Sequence, residues 1–222
     1  MIETPTVKDV DYSLVYEPSE DTFLMLDCLE EQMHYLRGRF KQEVPLVTEA
    51  GTGTGMVATF IQKHILPTSL CLATDINPNA CQAVLRTAEE NRVKQGNTWF
   101  IDSLQMDLTS GIRLNCIDIL LFNPPYVPAE QVPSTPLLND QSSEWLDRAL
   151  LGGTDGMEIT WKLLDRLEEL LEPTKGVAYV LFCARNRPSS VALIMRERGW
   201  YVETVMHRRA GWEVLDILRF SK

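Results

Sequence analysis

Short apolar segments alternate with helical segments along this chain from about residue 45 onward. The apolar segments show no alternation of polar and apolar residues, which is typical of strands buried on both faces in a parallel sheet. Helices between such strands cover the two faces of the sheet. Seven strands are predicted in this way, at residues 46–49, 70–74, 99–106, 117–122, 177–183, 200–206 and 212–220. The pattern predicts an α/β fold around a mostly parallel, seven-stranded sheet.

The last two predicted strands are separated by only five residues, 207–211. A link of that length is too short for a parallel crossover, so these strands must pair as a C-terminal antiparallel hairpin. Four of the other five links contain predicted helices, which end at about residues 66, 94, 171 and 198, and the one that ends at 94 has Pro78 in its first turn. One antiparallel strand at the end of a parallel sheet is found in only a few α/β folds.

The length of 222 residues suits one well-formed core, so residues 1–222 are predicted to form a single domain. Residues 1–40 would supply an N-terminal segment and a helix, and residues 45–222 the α/β core. Residues 127–157 carry three prolines and two adjacent glycines, with little periodicity. A connection of that length is usually functional, so we expect a substrate loop or lid there.

Acidic residues outnumber basic ones by 31 to 21, which gives a formal net charge of −10. Nucleic-acid affinity depends mainly on basic residues that neutralise phosphates, and here these are scattered apart from short clusters such as Arg208-Arg209. We therefore expect no nucleic-acid partner, although solubility alone also explains the acidity.

The chain shows no sign of a membrane or secretory destination. No apolar run approaches the roughly 20 residues that a bilayer span needs, and the N-terminus lacks a signal region. The cysteines are Cys28, Cys71, Cys81, Cys116 and Cys183, an odd number without a Cys-x-x-Cys pair, and the three histidines lie far apart. We therefore expect reduced thiols and no bound metal. The expected location is the cytoplasm, and the sequence is also compatible with the nucleus.

A glycine-rich loop follows the first predicted strand. Gly51, Gly53 and Gly55 would let the backbone approach a ligand closely, so they are predicted to bind a cofactor. The dinucleotide fingerprint needs a glycine where this chain has Met56, and Glu49 adds a carboxylate that would repel a pyrophosphate. The loop therefore favours a cationic, phosphate-free nucleoside over NAD. A plain strand-to-helix turn is the alternative.

Two further carboxylates follow predicted strands. Asp75 ends the second strand, where doubly wound sheets bind the ribose hydroxyls of nucleotides. Asp107 follows the third strand and could accept an adenine amino hydrogen while Leu108 packs on the ring. The alternative for Asp75 is a role as helix N-cap, which Asn77 could fill equally well.

The segment Asn-Pro-Pro-Tyr at residues 123–126 ends the fourth predicted strand. Two prolines remove backbone donors and leave carbonyls as acceptors. The side-chain oxygen of Asn123 and the carbonyl of Pro124 could together accept both hydrogens of a planar –NH2 group, and Tyr126 offers a ring for stacking. Holding both hydrogens would direct the nitrogen lone pair at an electrophile. The alternative is an Asx turn made rigid by Pro124 and Pro125.

Together these features resemble the class I methyltransferases, Rossmann-like enzymes that use S-adenosylmethionine, and among them those that methylate –NH2 nitrogens. More closely, the chain is similar to the short, eukaryotic HemK-like glutamine methyltransferases of translation termination factors. The matching segments are residues 16–22 (Tyr-Glu-Pro-Ser-Glu-Asp-Thr), 123–128, 151–156 (Leu-Gly-Gly-Thr-Asp-Gly) and 209–213. The resemblance extends from about Val15 to Phe220.

The resemblance implies a cofactor and a substrate. Contacts with S-adenosylmethionine are implied for Thr22, Glu49, Gly51, Asp75, Asp107, Leu108 and Asn123. Asn123, Pro124 and Tyr126 would hold the glutamine of a Gly-Gly-Gln motif in the class I release factor, with Pro125 beside them. The amide nitrogen of that glutamine would attack the sulfonium methyl group.

The resemblance also implies a heterodimer with a small zinc-binding activator subunit. The predicted strand at 99–106 would lie at a sheet edge, which invites strand addition by another chain, although helices of this chain could cover it instead. Three alternatives for the function remain open at this point. They are methylation of adenine amino groups in DNA or RNA, further protein substrates, and a catalytically silent cofactor-binding subunit.

Overall fold

The computed structural model describes residues 2–92, 100–136 and 144–222, and within them a single mixed sheet has the strand order β3-β2-β1-β4-β5-β7-β6. The strands are β1 Leu46–Ala50, β2 Leu70–Asp75, β3 Ile101–Gln105, β4 Ile119–Phe122, β5 Val177–Cys183, β6 Tyr201–Ala210 and β7 Glu213–Ser221. Strands β1 to β5 pair in parallel, and β7 is antiparallel to both of its neighbours. The predicted α/β fold with its antiparallel C-terminal hairpin is confirmed.

Helices cover both faces of this sheet. They are α1 Glu20–Glu31, α2 Met33–Arg39, α3 Met56–Phe60, α4 Pro78–Glu90, α5 Glu144–Leu150, α6 Glu158–Leu164, α7 Leu167–Leu170 and α8 Pro188–Glu197. Strand β5 is buried along its whole length. Its Tyr179 and Leu181 pack with α1 to α3, whereas Val180 and Phe182 pack with α6 to α8. Burial on both faces explains why the strands read as continuous apolar runs.

Several boundaries differ from the predictions. Strand β6 extends to Ala210, which pairs with Glu213, so the hairpin link is two residues and Trp212 lies in the turn. The five-residue link was therefore wrong in length, because polar residues 207–209 continue an exposed edge strand. The helix predicted at 157–171 is two helices, α6 and α7, and the helix after the glycine loop ends in a π-helical turn at Ile61–Ile65.

Other differences concern the long connection and the ends of elements. The segment 127–157, for which a loop is predicted, contains α5 and a 3-10 turn at Thr154–Gly156, while its residues 137–143 lie outside the described residues. The predicted strand positions 99 and 100 precede β3, and position 99 also lies outside the described residues, as do the last two positions of the helix predicted to end at 94. Among the described residues, no helix has the length and apolarity needed to cross a membrane.

The start of α1 brings the N-terminal segment to the sheet. Ser19 and Thr22 form a capping box at this start, with the backbone N–H of Ser19 donating to Oγ1 of Thr22 at 3.4 Å. Nδ2 of Asn77 donates to the carbonyl of Leu14 at 2.7 Å, so the segment before α1 is tied to the start of α4. The residues at the start of α1 thereby lie beside the carboxyl ends of the central strands.

Candidate active site

One cleft lies at the carboxyl ends of the central strands and includes nearly all of the predicted site residues. Those that line it are Thr22, Glu49, Gly51, Gly53, Asp75, Asp107, Leu108, Asn123, Pro124, Pro125 and Tyr126. This is the place where open, doubly wound sheets bind their ligands. Gly55 does not line the cleft.

The glycine loop forms a turn in which all three glycines have positive φ, from 54° to 76°. A Cβ at Gly55 would lie 2.7 Å from Cα of Val84, so this position allows α3 and α4 to pack closely. We therefore assign Gly55 a packing role rather than a cofactor contact. The backbone N–H of Gly53 donates to Oδ2 of Asp75 at 3.0 Å, which joins the turn to the end of β2.

Glu49 is buried below the glycine turn. Its Oε2 accepts hydrogen bonds from Oγ1 of Thr52, at 2.7 Å, and from the backbone N–H of Ala58, at 2.9 Å. Burial raises the pKa of Glu49 to about 8, and the nearby carboxylate of Asp75 adds to this effect. Because both hydrogen bonds use Oε2, Oε1 is the oxygen left for a ligand, and a cation there would stabilise the ionised form.

The sequence left open whether Asp75 caps a helix, and the structure gives the capping role to Asn77. Asn77 caps α4, with its side-chain oxygen accepting from the backbone N–H of Asn79 at 2.9 Å. Oδ1 of Asp75 accepts from the backbone N–H of Asn77 at 2.9 Å, so the carboxylate is fixed at the cleft wall but does not cap the helix. A carboxylate held in this way retains lone pairs for hydroxyl donors.

Asp107 and Leu108, which follow β3, also line the cleft. Oγ1 of Thr74 donates to the carbonyl of Leu108 at 2.7 Å, and Leu108 has a positive φ of 51°, so the turn is held by a specific contact. The carboxylate of Asp107 forms an ion pair with Lys162 on α6. The apolar side chain and the acidic group therefore both lie at the cleft wall, as the proposed adenine contacts require.

The side-chain amide of Asn123 is oriented by a carboxylate far away in the sequence. Its Nδ2 donates to Oδ2 of Asp21 at 3.0 Å, and Asp21 is 4% exposed. Oδ1 of Asn123 is buried and has no hydrogen-bond partner within the described ranges. An unpaired buried acceptor costs about 1–3 kcal/mol, which a bound N–H donor would offset. The site thus presents an acceptor where an –NH2 group is expected.

Tyr126 is held in place by the C-terminal hairpin. Its hydroxyl group donates to Oε2 of Glu213 at 3.1 Å. Burial, with the carboxylates of Asp21 and Glu213, raises the pKa of Tyr126 well above its usual value, and burial together with Asp21 raises that of Tyr16 to about 12. Both phenols therefore stay protonated at neutral pH and serve as donors and ring surfaces rather than as bases.

Helix α5, which the sequence did not predict, forms one wall of the cleft. Trp145 is 1% exposed and packs with Leu14 and Val15. Arg148 lies on the same wall, and its Nη1 donates to the carbonyl of Pro133 at 3.3 Å. Within a seven-residue helix the hydrophobic period is too short to be read from sequence, so no signal identified these residues.

A buried asparagine braces the loop that carries Tyr126. Nδ2 of Asn186 donates to the carbonyls of Tyr126 and Asp155, each at 2.9 Å, and its Oδ1 accepts from the backbone N–H of Cys183 at 2.8 Å. Gly156 lies against the same carbonyl, because a Cβ there would be 2.0 Å from the oxygen of Tyr126. The Gly-Gly-Thr-Asp-Gly segment is thus part of the support of residues 123–126.

These residues fit S-adenosylmethionine, a phosphate-free nucleoside with a sulfonium cation. Four carboxylates line the cleft, which suits a cation. The unpaired oxygen of Asn123 lies in the same cleft and suits an amine or amide. In the part of the chain that the structure describes, no group of three or more potential metal ligands is found. Fold and site together define a class I methyltransferase that uses S-adenosylmethionine and acts on an –NH2 nitrogen.

Comparison with known proteins identifies the family. The chain is 38% identical to the eRF1 methyltransferase catalytic subunit mtq2 of Schizosaccharomyces pombe, over 100% of this chain and 96% of that protein. It is 38% identical to the methyltransferase HEMK2 of Mus musculus, over 94% and 90% of the two chains. No protein-family model matches. The chain belongs to the Mtq2 and HEMK2 family of protein-glutamine methyltransferases, and its methyl donor is S-adenosylmethionine.

A solved structure agrees with this assignment. The E. cuniculi Mtq2-Trm112 complex, described as responsible for the methylation of the eRF1 translation termination factor, contains a chain that matches with a TM-score of 0.64 and 25% identity. The match covers 94% of this chain and 98% of that one.

Proposed function

We propose that this chain is the catalytic subunit of a methyltransferase that transfers a methyl group to the side-chain amide nitrogen of the glutamine in the Gly-Gly-Gln motif of the class I release factor. The observation that carries the proposal is the fixed amide of Asn123, whose nitrogen is bound by Asp21 and whose buried oxygen is unpaired. The S. pombe relative is an eRF1 methyltransferase subunit and the E. cuniculi complex methylates eRF1, and both support this substrate.

The residues of the chain would act by holding the amide rather than by taking its proton. Oδ1 of Asn123 and the carbonyl of Pro124 would accept the two N–H hydrogens, with the ring of Tyr126 packed beside the amide plane. This arrangement would turn the nitrogen lone pair toward the methyl group that S-adenosylmethionine supplies. The nitrogen–methyl bond would form as the sulfur–methyl bond breaks, with S-adenosylhomocysteine as leaving group and the surplus amide proton passing to water. Thr22, Glu49, Gly51, Gly53, Asp75, Asp107 and Leu108 are proposed to bind the cofactor, on the basis of their position along the cleft.

The test is methyl transfer by the purified complex to full-length release factor and, in parallel, to adenine-containing DNA and RNA. Mass spectrometry of the Gly-Gly-Gln peptide is expected to find one methyl group on the glutamine. Asp21→Asn and Asn123→Ala should each lower kcat by about a hundredfold or more, since a fixed polar contact at the reacting group is lost. The affinity of the Asp21→Asn variant for S-adenosylhomocysteine should change little. The control Asp165→Asn, at an exposed residue paired with Arg198, should behave as wild type. Label in nucleic acid alone would overturn the proposal.

We also propose a small zinc-binding activator subunit as partner, docked at the edge strand β3. Two large apolar side chains on and next to this strand are exposed, Phe100 at 48% and Leu104 at 38%, and Leu85 of α4 is exposed at 46%. An apolar edge strand favours pairing with another chain. The E. cuniculi Mtq2-Trm112 complex supports a partner of this kind.

The proposed substrate also indicates a location. Because translation termination takes place in the cytoplasm, we place the activity there.

A further inference from the structure

The turn of the β6–β7 hairpin carries a tryptophan with almost no contact to the rest of the chain. Trp212 is 98% exposed, more than any other large apolar side chain in the described residues. It follows Gly211, whose φ of 58° closes the turn. Tryptophan is strongly enriched at the centres of protein interfaces, because it buries a large apolar area with few rotatable bonds. A side chain so completely exposed is suited to contact with another molecule.

The hairpin turn lies at the rim of the active site. Glu213, the residue after Trp212, accepts the hydrogen bond from the hydroxyl group of Tyr126 at 3.1 Å. On the other strand, Arg208 forms an ion pair with Asp27 of α1 at 2.7 Å. The turn is therefore held at both sides by elements that carry site residues, and Trp212 projects from a fixed position.

Resting on the proposed function, we propose that the β6–β7 turn is a docking site for the release factor, with Trp212 as its apolar contact. A glutamine bound at Asn123 belongs to a large protein, and the surface of that protein must extend past Tyr126 and Glu213. The proposed activator site is not the same surface, because β3 and β6 are the two opposite edges of the sheet.

The chemistry of the turn specifies the surface that it contacts. Arg209, two residues before the turn glycine, is exposed on β6. An exposed cation three residues before an exposed indole fits a protein surface that combines an apolar side chain with acidic groups. In a chain with net charge −10 such a local cation also lowers the repulsion of an acidic partner.

The experiment uses the complex with its activator and full-length release factor. Trp212→Ala is expected to raise KM for the release factor about tenfold or more, as is usual for truncation of an interface tryptophan, while Trp212→Phe changes it about threefold or less. The kcat at saturation and the KM for S-adenosylmethionine should stay at the wild-type values. Titration of release factor into the complex, with S-adenosylhomocysteine bound, should show the same loss of affinity without turnover.

The matched control is Tyr201→Ala, because Tyr201 is a 60% exposed aromatic residue at the start of β6, at the end of that strand away from the turn. It should leave both KM values unchanged. The proposal is overturned if Trp212→Ala binds release factor within twofold of wild type, or if Tyr201→Ala weakens binding equally. It is also overturned if Trp212→Ala lowers kcat alone, which would indicate a disturbance of Tyr126. A wild-type complex that binds but never methylates release factor would instead contradict the proposed function.

Discussion

The carboxylates of the cleft differ in what already holds them. Asp75 accepts backbone N–H groups on both oxygens, although burial still raises its pKa, and Asp107 is paired with Lys162. Glu49 is the most deeply enclosed of the three, and burial raises its pKa to about 8. At neutral pH much of this residue is therefore protonated before the cofactor binds. Its ionisation should be coupled to the binding of a cation.

The pH dependence of cofactor binding tests that coupling. A cationic ligand stabilises the ionised carboxylate, so the pKa of Glu49 falls on binding and a proton is released below about pH 8. Affinity for S-adenosylmethionine should therefore rise, by on the order of tenfold, from about pH 6.5 to about pH 8 and then level off. Calorimetry in buffers of different ionisation enthalpy measures the proton release. In Glu49→Gln both the release and this part of the slope should vanish, whereas titration of the ligand itself would persist. Equal slopes in the two proteins would exclude Glu49 as the coupled group.

Residue by residue, the sequence predicted most of the residues that line the cleft, but not the contacts that support residues 123–126. Asp75 and Asn123 could be found because each follows a recognisable apolar strand, and the topology brings strand ends together. Asp21 could not be assigned a role, because it meets Asn123 across 102 residues of sequence and only the folded chain brings them together. The motif predicts Gly55 at the cofactor, but Gly55 lies outside the lining of the cleft and its close packing on Val84 explains the glycine instead.

At the level of elements, burial decided what was predictable. The buried strands β1, β4 and β5 were located to within about two residues at their boundaries, because their apolar runs are continuous. Helix α5 was not predicted, because the contact that positions it is a tertiary one, between Trp145 and the N-terminal segment. The hairpin link was placed too early because exposed residues of β6 are polar.

Asn186 and Gly156 support the loop that carries Tyr126, so substitutions at these two positions test the role of that loop. Asn186→Ala removes donors from two carbonyls, so kcat should fall about tenfold, and Asn186→Asp should be worse because a carboxylate opposes those carbonyls. Gly156→Ala should be the most damaging, since its Cβ would meet the carbonyl of Tyr126. Steady-state kinetics and calorimetric binding of S-adenosylhomocysteine separate lost turnover from lost cofactor affinity.

Gly199→Ala is the matched control for this series. Gly199 also has a positive φ, of 88°, but a Cβ there would meet nothing within 4 Å. It should cost about 1 kcal/mol of stability through backbone strain and leave kcat unchanged. If Gly199→Ala and Gly156→Ala lose activity alike, or if Asn186→Ala loses cofactor affinity and not turnover, the brace has no specific role.

Over the whole molecule, the sheet separates three proposed functions in space. The cofactor and substrate cleft lies at the carboxyl ends of the central strands, the activator is proposed at β3, and the exposed hairpin lies at the opposite edge. The net charge of −10 is consistent with this arrangement. Part of the acidity lines the cleft, where it suits a cationic cofactor, and the remainder disfavours nucleic acid as a competing substrate for the same –NH2 site.

The exposed apolar surface at β3 leads to a prediction about the stability of the whole chain. Without a partner, Phe100 and Leu104 remain in water, so the chain expressed alone should be poorly soluble or inactive, and co-expression with the activator should rescue it. Binding of the activator to the folded state should raise Tm, and the rise should grow with the logarithm of the activator concentration. Leu104→Lys should abolish co-purification and this rise in Tm, because it buries a charge in the interface. Leu193→Lys, at a 59% exposed position on α8, should preserve both. A fully active lone chain, or a stable complex formed by Leu104→Lys, would show that β3 is not the docking edge.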